Sequence, residues 1–403
     1  MIKGIVFDYQ VLFVSAESVQ AEIREMLDGI RSRGLKICIF STDLKDIAGE
    51  CARRGLPEPD FYVHKGNVAG GKNRGSPEWI NALLSTFPVE PYQLFYVGAT
   101  TLDWRTAINS AVMYAHAGWA GRQPGGTTSV VIDEPMGVNE FIDMFLLVEP
   151  RWSYVLSEGE SGLEIRALLP ASASLPASPT TTFSLQDVFT YDRKPMVGVK
   201  GEHSARNLLM MHVVTSCYLE GLLGPGTYFC VYPSSKMGKV SEQLQEYVLP
   251  ASRLVHGFYK DDLLERYRDA TDTSLERVSA RKQGRPPNVS ILDQANSVRL
   301  ADKYIGKLKD RTVVVFDDFM TEGTSLSWAY QLLIAAGASK VVLVSIGKYG
   351  RRRFIQQVPT SKISPFTTNE YSTGSFQAEQ RSLSEFSANE ERVRQLVSLV
   401  ASS

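Results

Sequence analysis

The residues best suited to chemistry lie in one stretch of the C-terminal half, residues 313–325. Four apolar residues, 313–316, lead directly into two adjacent carboxylates, Asp317 and Asp318. A short segment with one glycine and three hydroxyl side chains follows at 321–325, and an amphipathic run comes after it. The order strand, acidic pair, hydroxyl-rich turn and helix predicts a phosphate-binding site, because backbone N–H groups of the turn and of the helix N-terminus point toward an anion.

This stretch resembles the 5-phosphoribosyl-1-pyrophosphate (PRPP) signature of type I phosphoribosyltransferases. The resemblance implies that Asp317 and Asp318 are the catalytic acidic pair, which holds the ribose hydroxyls of PRPP. It also implies that the loop after them grips the 5-phosphate, at Thr321, Glu322, Gly323, Thr324 and Ser325. Glu322 departs from the family, which usually has a small residue there, so its carboxylate has to point away from the phosphate.

A second loop fits the same family. The predicted strand at 227–232 is followed by Ser234, Ser235 and Lys236. In type I phosphoribosyltransferases the loop after this strand contacts pyrophosphate through backbone amides and a basic residue, so the resemblance assigns these three residues to PRPP. An ordinary turn that carries a solvated lysine is the alternative.

A basic segment with few apolar residues occupies 266–290. It corresponds to the mobile loop that closes over PRPP in this family, and the resemblance assigns Arg277 and Arg281 to PRPP binding. The local sequence resembles the competence-protein-F-like branch, although that branch often carries a zinc ribbon and this sequence has none. A solvated charged loop is the alternative.

Another set of polar residues follows short apolar runs in the first quarter of the chain. Their order resembles the motifs of the haloacid dehalogenase (HAD) superfamily, which uses a nucleophilic aspartate, a phosphate-contacting hydroxyl, a phosphate-balancing cation and acidic magnesium ligands. The resemblance implies a nucleophile and Mg²⁺ ligand at Asp8, a phosphate contact at Ser41, the cation at Lys72 or Arg74, and a second Mg²⁺ ligand at Asp103.

The sequence departs from the HAD family at two positions whose residues the family uses for hydrolysis. Gln10 stands in place of the general acid–base aspartate, and an amide cannot carry the proton for the leaving group. Ala99 replaces an acidic magnesium ligand. We therefore expect a degenerate HAD-like site with little phosphatase activity, in a domain used for packing or ligand sensing.

These residues have to be positioned by alternating strands and helices. The hydrophobic pattern of the first part predicts strands at 4–7, 35–40, 61–64 and 94–97 and helices at 16–33, 44–54 and 76–85. Such alternation is typical of a parallel α/β sheet, and the motifs are too close together for a large cap domain. In the second part, the Pro/Ser/Thr-rich residues 170–182 are predicted to be a loop, and 389–401 a short docking helix.

Composition limits the class of protein. A chain of 403 residues has room for two or three domains, and a formal net charge of −1 indicates neither a nucleic-acid nor a membrane partner. The four cysteines form no CxxC pair, which suits a reducing cytoplasm, and Asp8 interrupts the first apolar run, which therefore does not predict a signal peptide.

The combined prediction is an α/β protein of two domains. Its parts are a capless HAD-like Rossmannoid domain at 1–145, connecting strands and a loop at 146–189, a phosphoribosyltransferase parallel sheet at 190–355, and a tail with a short helix at 356–403. The implied reaction is Mg²⁺-dependent formation or cleavage of an N-glycosidic bond between PRPP and a base-like small molecule. The alternatives are a PRPP- or nucleotide-sensing regulator, a HAD phosphatase with an accessory binding domain, and a structural partner in an enzyme complex. A homodimer is an open possibility.

Overall fold

The structure, a computed structural model, describes residues 1–43, 46–126, 129–178, 181–190, 205–224, 226–271, 276, 282–285, 290–350 and 352–401. The chain forms two units. Unit 1 consists of Met1–Val148, Val214–Pro225 and Arg253–Gly257, and unit 2 consists of Glu149–Val213, Gly226–Ser252 and Phe258–Ser403. In the described part of the chain, no helix is both long and apolar enough to cross a membrane.

Unit 1 is organised around one parallel sheet. Its strands in chain order are β1 (Gly4–Asp8), β2 (Lys36–Ser41), β3 (Phe61–His64), β4 (Leu94–Gly98), β5 (Met113–Ala117) and β6 (Val130–Ile132). Across the sheet the order is β3-β2-β1-β4-β5-β6, with every neighbouring pair parallel. The chain moves outward from β1 to β3 and then returns to β4 on the other side, so the topological switch point lies between β1 and β4.

The helices of unit 1 agree with the predicted alternation. The α-helices are Tyr9–Leu12, Glu17–Ser32, Ile47–Arg53, Glu78–Leu84, Thr101–Asn109 and Gly137–Phe141. The π-helical turn Ile142–Leu146 follows the last of them. The predicted strands and helices are confirmed to within about three residues, because each is an apolar run or an amphipathic period bounded by glycine or polar residues. Every strand described in residues 1–132 belongs to the single six-stranded sheet, as expected without a cap domain.

The described residues of unit 2 form a seven-stranded mixed sheet and three two-stranded antiparallel sheets. Its strands are β7 (Tyr154–Glu158), β8 (Leu163–Pro170), β9 (Ser174–Ser178), β10 (Thr181–Ser184), β11 (Tyr228–Val231), β12 (Phe258–Tyr259), β13 (Leu264–Arg266), β14 (Val298–Leu300), β15 (Thr312–Met320), β16 (Lys340–Lys348), β17 (Arg353–Pro359), β18 (Phe376–Ser382) and β19 (Ser384–Glu385). The large sheet has the order β12-β11-β15-β16-β8-β7-β19. Strands β12, β11, β15, β16 and β8 run parallel to one another, β7 runs antiparallel to β8, and β19 runs antiparallel to β7.

The centre of this sheet is buried on both faces. In β15 and β16, the runs 313–316 and 341–344 are completely buried, as near-continuous apolar runs are in parallel sheets. The remaining helices are Leu185–Thr190, Ala205–Leu219, Glu242–Leu254, Ile291–Ala295, Thr324–Ala335 and Ala388–Ala401.

The structure differs from the predicted division of the second half. β7 and β8, predicted as connecting strands, belong to the sheet of unit 2, where β8 pairs with β16. The predicted loop at 170–182 contains β9 and most of the β9–β10 hairpin, which Ser, Thr and Pro side chains hide from a hydrophobic pattern. The predicted tail supplies β18, which pairs with β17, and β19. These pairings join distant residues, which local patterns do not reveal.

Candidate functional site

A cavity of about 330 Å³ lies at the carboxyl ends of β11 and β15 in unit 2. The chain leaves β11 toward β12 on one side and places β15 on the other, so this is the topological switch point of the sheet, where open α/β sheets bind ligands. The lining residues come mainly from the segments that follow the two strands. Those assigned from the sequence are Ser234, Ser235, Asp317, Asp318, Thr321, Gly323, Thr324 and Ser325.

The acidic pair lies on the cavity wall within β15. Asp317 is half-buried and Asp318 is exposed, whereas the preceding residue Phe316 is completely buried. One Asp317 carboxylate oxygen accepts a hydrogen bond from the Asp318 N–H at 3.0 Å, and one Asp318 oxygen accepts from the Phe319 N–H at 2.6 Å. The strand continues to Met320 rather than ending before the acids, and these local bonds hold both carboxylates at the cavity.

The hydroxyl loop leads into a helix whose N-terminus faces the same cavity. Gly323 is the N-cap of Thr324–Ala335 and has a left-handed conformation, with φ of 82°. No side chain caps this helix, and the first bond of the helix runs from the Ser327 N–H to the Gly323 carbonyl at 2.7 Å. The helix N-terminus carries partial positive charge, and the Thr321, Thr324 and Ser325 hydroxyls line the cavity beside it, so the loop is suited to bind an anion.

Glu322 is the residue of this loop that does not line the cavity. Its side chain is about half exposed and forms an ion pair with the Arg353 guanidinium. The carboxylate is therefore turned away from the anion-binding loop. This is the orientation the departure from the family pattern required, and Glu322 is not among the residues that line the cavity.

The opposite wall of the cavity is the segment after β11. Ser234 and Ser235 line it, and the buried Arg266 donates to the carbonyl oxygens of Ser234 and, at 3.3 Å, of Pro233. Arg266 belongs to the segment predicted as the mobile loop, but it ends strand β13 and holds this wall in place. Lys236 does not line the cavity, since its exposed ammonium lies 3.1 Å from the Asp269 carboxylate.

Further residues at this site carry no local sequence signal. Gln186, Gln294 and Tyr349 line the cavity, and Gln294 accepts hydrogen bonds from Arg266 at 3.0 Å and from the Tyr232 hydroxyl at 2.9 Å. They come from segments far apart in sequence, so only the tertiary fold brings them together. Arg277 and Arg281 lie outside the described residues.

A buried lysine lies directly behind the hydroxyl loop. The Lys348 ammonium donates to the carbonyl oxygen of Thr321 and, at 2.7 Å, to that of Tyr349. Its side chain is almost inaccessible to solvent, and burial lowers the pKa of Lys348 to about 8, although nearby Glu322 acts in the opposite direction. The end of β16 thereby fixes the backbone of the loop that faces the cavity.

Unit 1 contains the second group of predicted residues at its own switch point. Asp8 ends β1, and Asp103 lies in the first turn of the helix that follows β4. The Arg74 guanidinium bridges them, with its Nη1 2.8 Å from Asp8 Oδ2 and its Nη2 bound to Asp103 Oδ1. All three side chains are buried.

Burial dominates the electrostatics of this cluster. It raises the pKa of Asp8 to about 6, and the Asp103 carboxylate adds to the increase, while Arg74 and the Gln10 N–H act in the opposite direction. Arg74, rather than Lys72, is the cation beside Asp8, because its buried guanidinium is bonded to that carboxylate, whereas Lys72 is exposed. Ser41 is buried at the end of β2, and the Gln10 side chain is exposed.

The two carboxylates do not fit the Mg²⁺ that the HAD resemblance implies. Asp8 Oδ1 accepts from the Gln10 N–H at 2.9 Å, and its Oδ2 accepts from Arg74. Asp103 Oδ1 accepts from Arg74, and its Oδ2 accepts from the backbone N–H groups of Ala99 and Thr100 and from the Thr100 hydroxyl. Every oxygen already has a donor, and among the described residues no third His, Cys, Asp or Glu side chain joins the two acids as a metal ligand.

Comparison with known proteins gives matches only among solved structures. No protein-family model matches the chain, and no curated protein does. A HAD-superfamily hydrolase of subfamily IA from Geobacter sulfurreducens is similar with 12% identity over 35% of this chain and 96% of its own, at a TM-score of 0.28. A HAD-superfamily hydrolase from Ehrlichia chaffeensis has 16% identity over 36% of this chain and 98% of its own, at a TM-score of 0.27. The similarity lies in the N-terminal part of the chain and is to HAD-superfamily hydrolases.

Proposed function

We propose that unit 2 binds PRPP and transfers its phosphoribosyl group to a base-like small molecule, or catalyses the reverse reaction. The observation that carries this proposal is the cavity at the β11–β15 switch point, where an acidic pair, a hydroxyl-rich helix N-terminus and a second serine loop come together. This combination supplies acceptors for sugar hydroxyls and donors for phosphate in one place. The comparisons with known proteins do not bear on unit 2.

In this proposal each part of the cavity has a separate task. Asp317 and Asp318 accept hydrogen bonds from the two ribose hydroxyls and stabilise the positive charge that develops on the sugar ring as its bond to pyrophosphate breaks. The loop around Gly323 and the first N–H groups of the helix donate to the 5-phosphate. The wall at Ser234 and Ser235, fixed from behind by Arg266, faces the pyrophosphate.

The lining also suits the magnesium ion that accompanies PRPP. Carboxylate, hydroxyl and phosphate oxygens are the ligands Mg²⁺ prefers, and Asp317 and Asp318 supply two carboxylates to the cavity wall. Bound there with the diphosphate, Mg²⁺ would offset the charge of the departing pyrophosphate.

Binding of PRPP tests the site directly. The double variant Asp317→Asn/Asp318→Asn should weaken binding in calorimetry with MgCl₂ by several kcal/mol, because each charge-assisted contact contributes roughly 1.5–3 kcal/mol. Glu322→Gln is the matched control, since it removes a carboxylate of the same loop that faces Arg353 instead of the cavity. Equal affinity of wild type and double variant would refute the assignment of the acidic pair.

Turnover distinguishes an enzyme from a PRPP sensor. The wild-type protein, supplied with PRPP, Mg²⁺ and a panel of nitrogen heterocycles, should release pyrophosphate with at least one of them, and the Asp317→Asn/Asp318→Asn variant should not. Tight binding of PRPP without pyrophosphate release across the panel would favour the regulatory alternative.

Phosphate-ester hydrolysis by unit 1 is the second candidate function, and it is favoured by the similarity to HAD-superfamily hydrolases. The residues of the site argue for weak activity, because Gln10 cannot act as an acid or base and general acid–base help contributes roughly 10²–10⁴-fold in rate. We expect little hydrolysis of p-nitrophenyl phosphate by the wild-type chain. Rapid hydrolysis that is lost in Asp8→Asn would establish the phosphatase function instead.

A further inference from the structure

The cluster of Asp8, Arg74 and Asp103 in unit 1 plays no part in the function proposed for unit 2. The exposed fractions of these residues are 4%, 7% and 1%. They bring two carboxylates and one guanidinium together at the switch point of the six-stranded sheet, where this fold class places its ligands. A buried group of charges at such a place requires a counter-ion, because unpaired buried carboxylates are strongly unfavourable.

The Arg74 guanidinium is held in place on several sides. Its Cζ lies 5.1 Å from the ring centroid of Trp79 and 5.6 Å from that of Phe40, distances typical of cation–π contacts. Its Nη2 also donates to the Tyr96 hydroxyl. The guanidinium could not leave without losing these contacts and stranding both carboxylates.

We infer that Arg74 is the resident counter-ion of Asp8 and Asp103, and that unit 1 binds no divalent cation at these carboxylates. The planar fork of the guanidinium reaches both acids at once, which is the bridging position that a shared metal ion would need. Arg74 donates to Asp8 Oδ2 and Asp103 Oδ1, and backbone N–H groups donate to the other two oxygens, so a divalent cation would have to displace these donors. The cluster is a fixed charge network built from the chain alone.

Counting Mn²⁺ ions bound to the full-length protein tests this inference. Titrations followed by electron paramagnetic resonance, without PRPP, would compare wild type, Asp8→Asn, Arg74→Ala and the double variant Arg74→Ala/Asp8→Asn. Arg105→Ala is the matched control, because it removes an exposed arginine that lies outside the cluster. Arg74→Ala should also lower the melting temperature of the protein by roughly 10 °C, with partial recovery on adding Mn²⁺.

We expect wild type, Asp8→Asn and Arg105→Ala to bind the same number of Mn²⁺ ions. Arg74→Ala should gain one site, and the double variant should lose it again. A wild-type Mn²⁺ site that disappears in Asp8→Asn would overturn the inference, as would a folded Arg74→Ala protein that gains no site. If Arg74→Ala does not fold, the comparison of wild type with Asp8→Asn decides alone.

Discussion

At the scale of single residues, Gly323 shows how one backbone conformation controls the anion-binding loop. Its φ of 82° is costly for any residue with a Cβ, and a Cβ there would overlap the completely buried ring of Phe354. Gly323→Ala should therefore destabilise unit 2 by about 2–4 kcal/mol, from roughly 1–2 kcal/mol of backbone strain and a similar cost of overpacking. It should also abolish PRPP binding. Urea unfolding measures the change in stability, and calorimetry measures the binding of PRPP.

Gly374 offers a control for the backbone term. Its φ is 96°, but a Cβ built there would meet nothing within 4 Å. Gly374→Ala should cost only the roughly 1–2 kcal/mol of strain and leave PRPP binding intact. Equal losses of stability in the two variants would show that Phe354 does not restrict the loop.

The second prediction at this scale concerns Lys348 and the pH dependence of the free energy of unfolding. Burial lowers the pKa of Lys348 from 10.5 to about 8, so between these values the unfolded chain binds more protons than the folded one. The free energy of unfolding should then rise as the pH increases from about 8 toward 10, with a slope of at most about 1.4 kcal/mol per pH unit. Below pH 8 the lysine is charged in both states and contributes no slope.

Lys348→Met should remove this rise, because the side chain no longer titrates. Lys362→Met is the control, since Lys362 is an exposed lysine of the same unit and its loss should leave the slope unchanged. Urea unfolding followed by circular dichroism across this pH range measures the effect. The same slope in wild type and Lys348→Met would mean that burial does not lower the pKa of Lys348.

The local signals in the sequence account for some residues of the site and not for others. Asp317 and Thr324 could be assigned because the acidic pair and the hydroxyl loop are contiguous and follow an apolar strand. The orientation of Glu322 could not be predicted, since it depends on Arg353 in the following hairpin. Arg266 and Lys348 donate hydrogen bonds to backbone carbonyl oxygens of the two loops. Neither contact could be predicted, since each joins residues that are distant in sequence.

At the scale of elements, strands with a strong apolar pattern were predictable and their partners were not. The run of valines in β15 predicts a buried strand. Nothing in it indicates that β8, about 150 residues earlier, lies in the same sheet with only β16 between the two strands. The hairpin of β9 and β10 has no apolar alternation because it is rich in Ser, Thr and Pro. Sheet order is a property of non-local pairing, which the periodicity of a single segment does not encode.

The C-terminal helix Ala388–Ala401 gives a prediction about an element. It packs against β8 and β9, and the Asn389 side-chain amide donates to the Leu168 carbonyl at 2.6 Å. Val393, on its apolar side, is completely buried. Val393→Ala should destabilise unit 2 by about 2 kcal/mol in urea unfolding, since it removes two buried carbon atoms and leaves a small cavity.

The matched control in this helix is Arg392→Ala, because Arg392 neighbours Val393 but is exposed. Its effect should stay within about 0.5 kcal/mol, as is usual for surface positions. If Val393→Ala were as mild as Arg392→Ala, the helix would not contribute to the core of unit 2.

At the scale of the whole molecule, the two units are not consecutive pieces of chain. Unit 1 ends its first segment at Val148, close to the predicted boundary at 145, but it also includes Val214–Pro225 and Arg253–Gly257. Both segments lie within the predicted range of the phosphoribosyltransferase domain, 190–355, because an apolar helix alone does not reveal which sheet it covers. A chain cut at residue 148 would consequently lack part of unit 1.

The contacts of Tyr218 allow a test of whether the segment Val214–Pro225 contributes to unit 1. Tyr218 belongs to the Val214–Pro225 segment of unit 1 and is buried, and its hydroxyl accepts from the Met113 N–H at 3.0 Å. The same hydroxyl lies 2.9 Å from the carbonyl oxygens of Pro91 and Leu94, to one of which it donates. It therefore links the beginnings of the neighbouring strands β4 and β5.

Tyr218→Phe should destabilise unit 1 by about 1–3 kcal/mol, because it leaves the Met113 N–H and a carbonyl oxygen buried without a partner. Hydrogen exchange at the Met113 amide should accelerate, and PRPP binding by unit 2 should stay unchanged. Tyr62→Phe is the control, since Tyr62 is 48% exposed in the same unit and the loss of its hydroxyl should cost almost nothing. Unaltered exchange at Met113 in Tyr218→Phe would contradict the hydrogen bond between the Tyr218 hydroxyl and this amide.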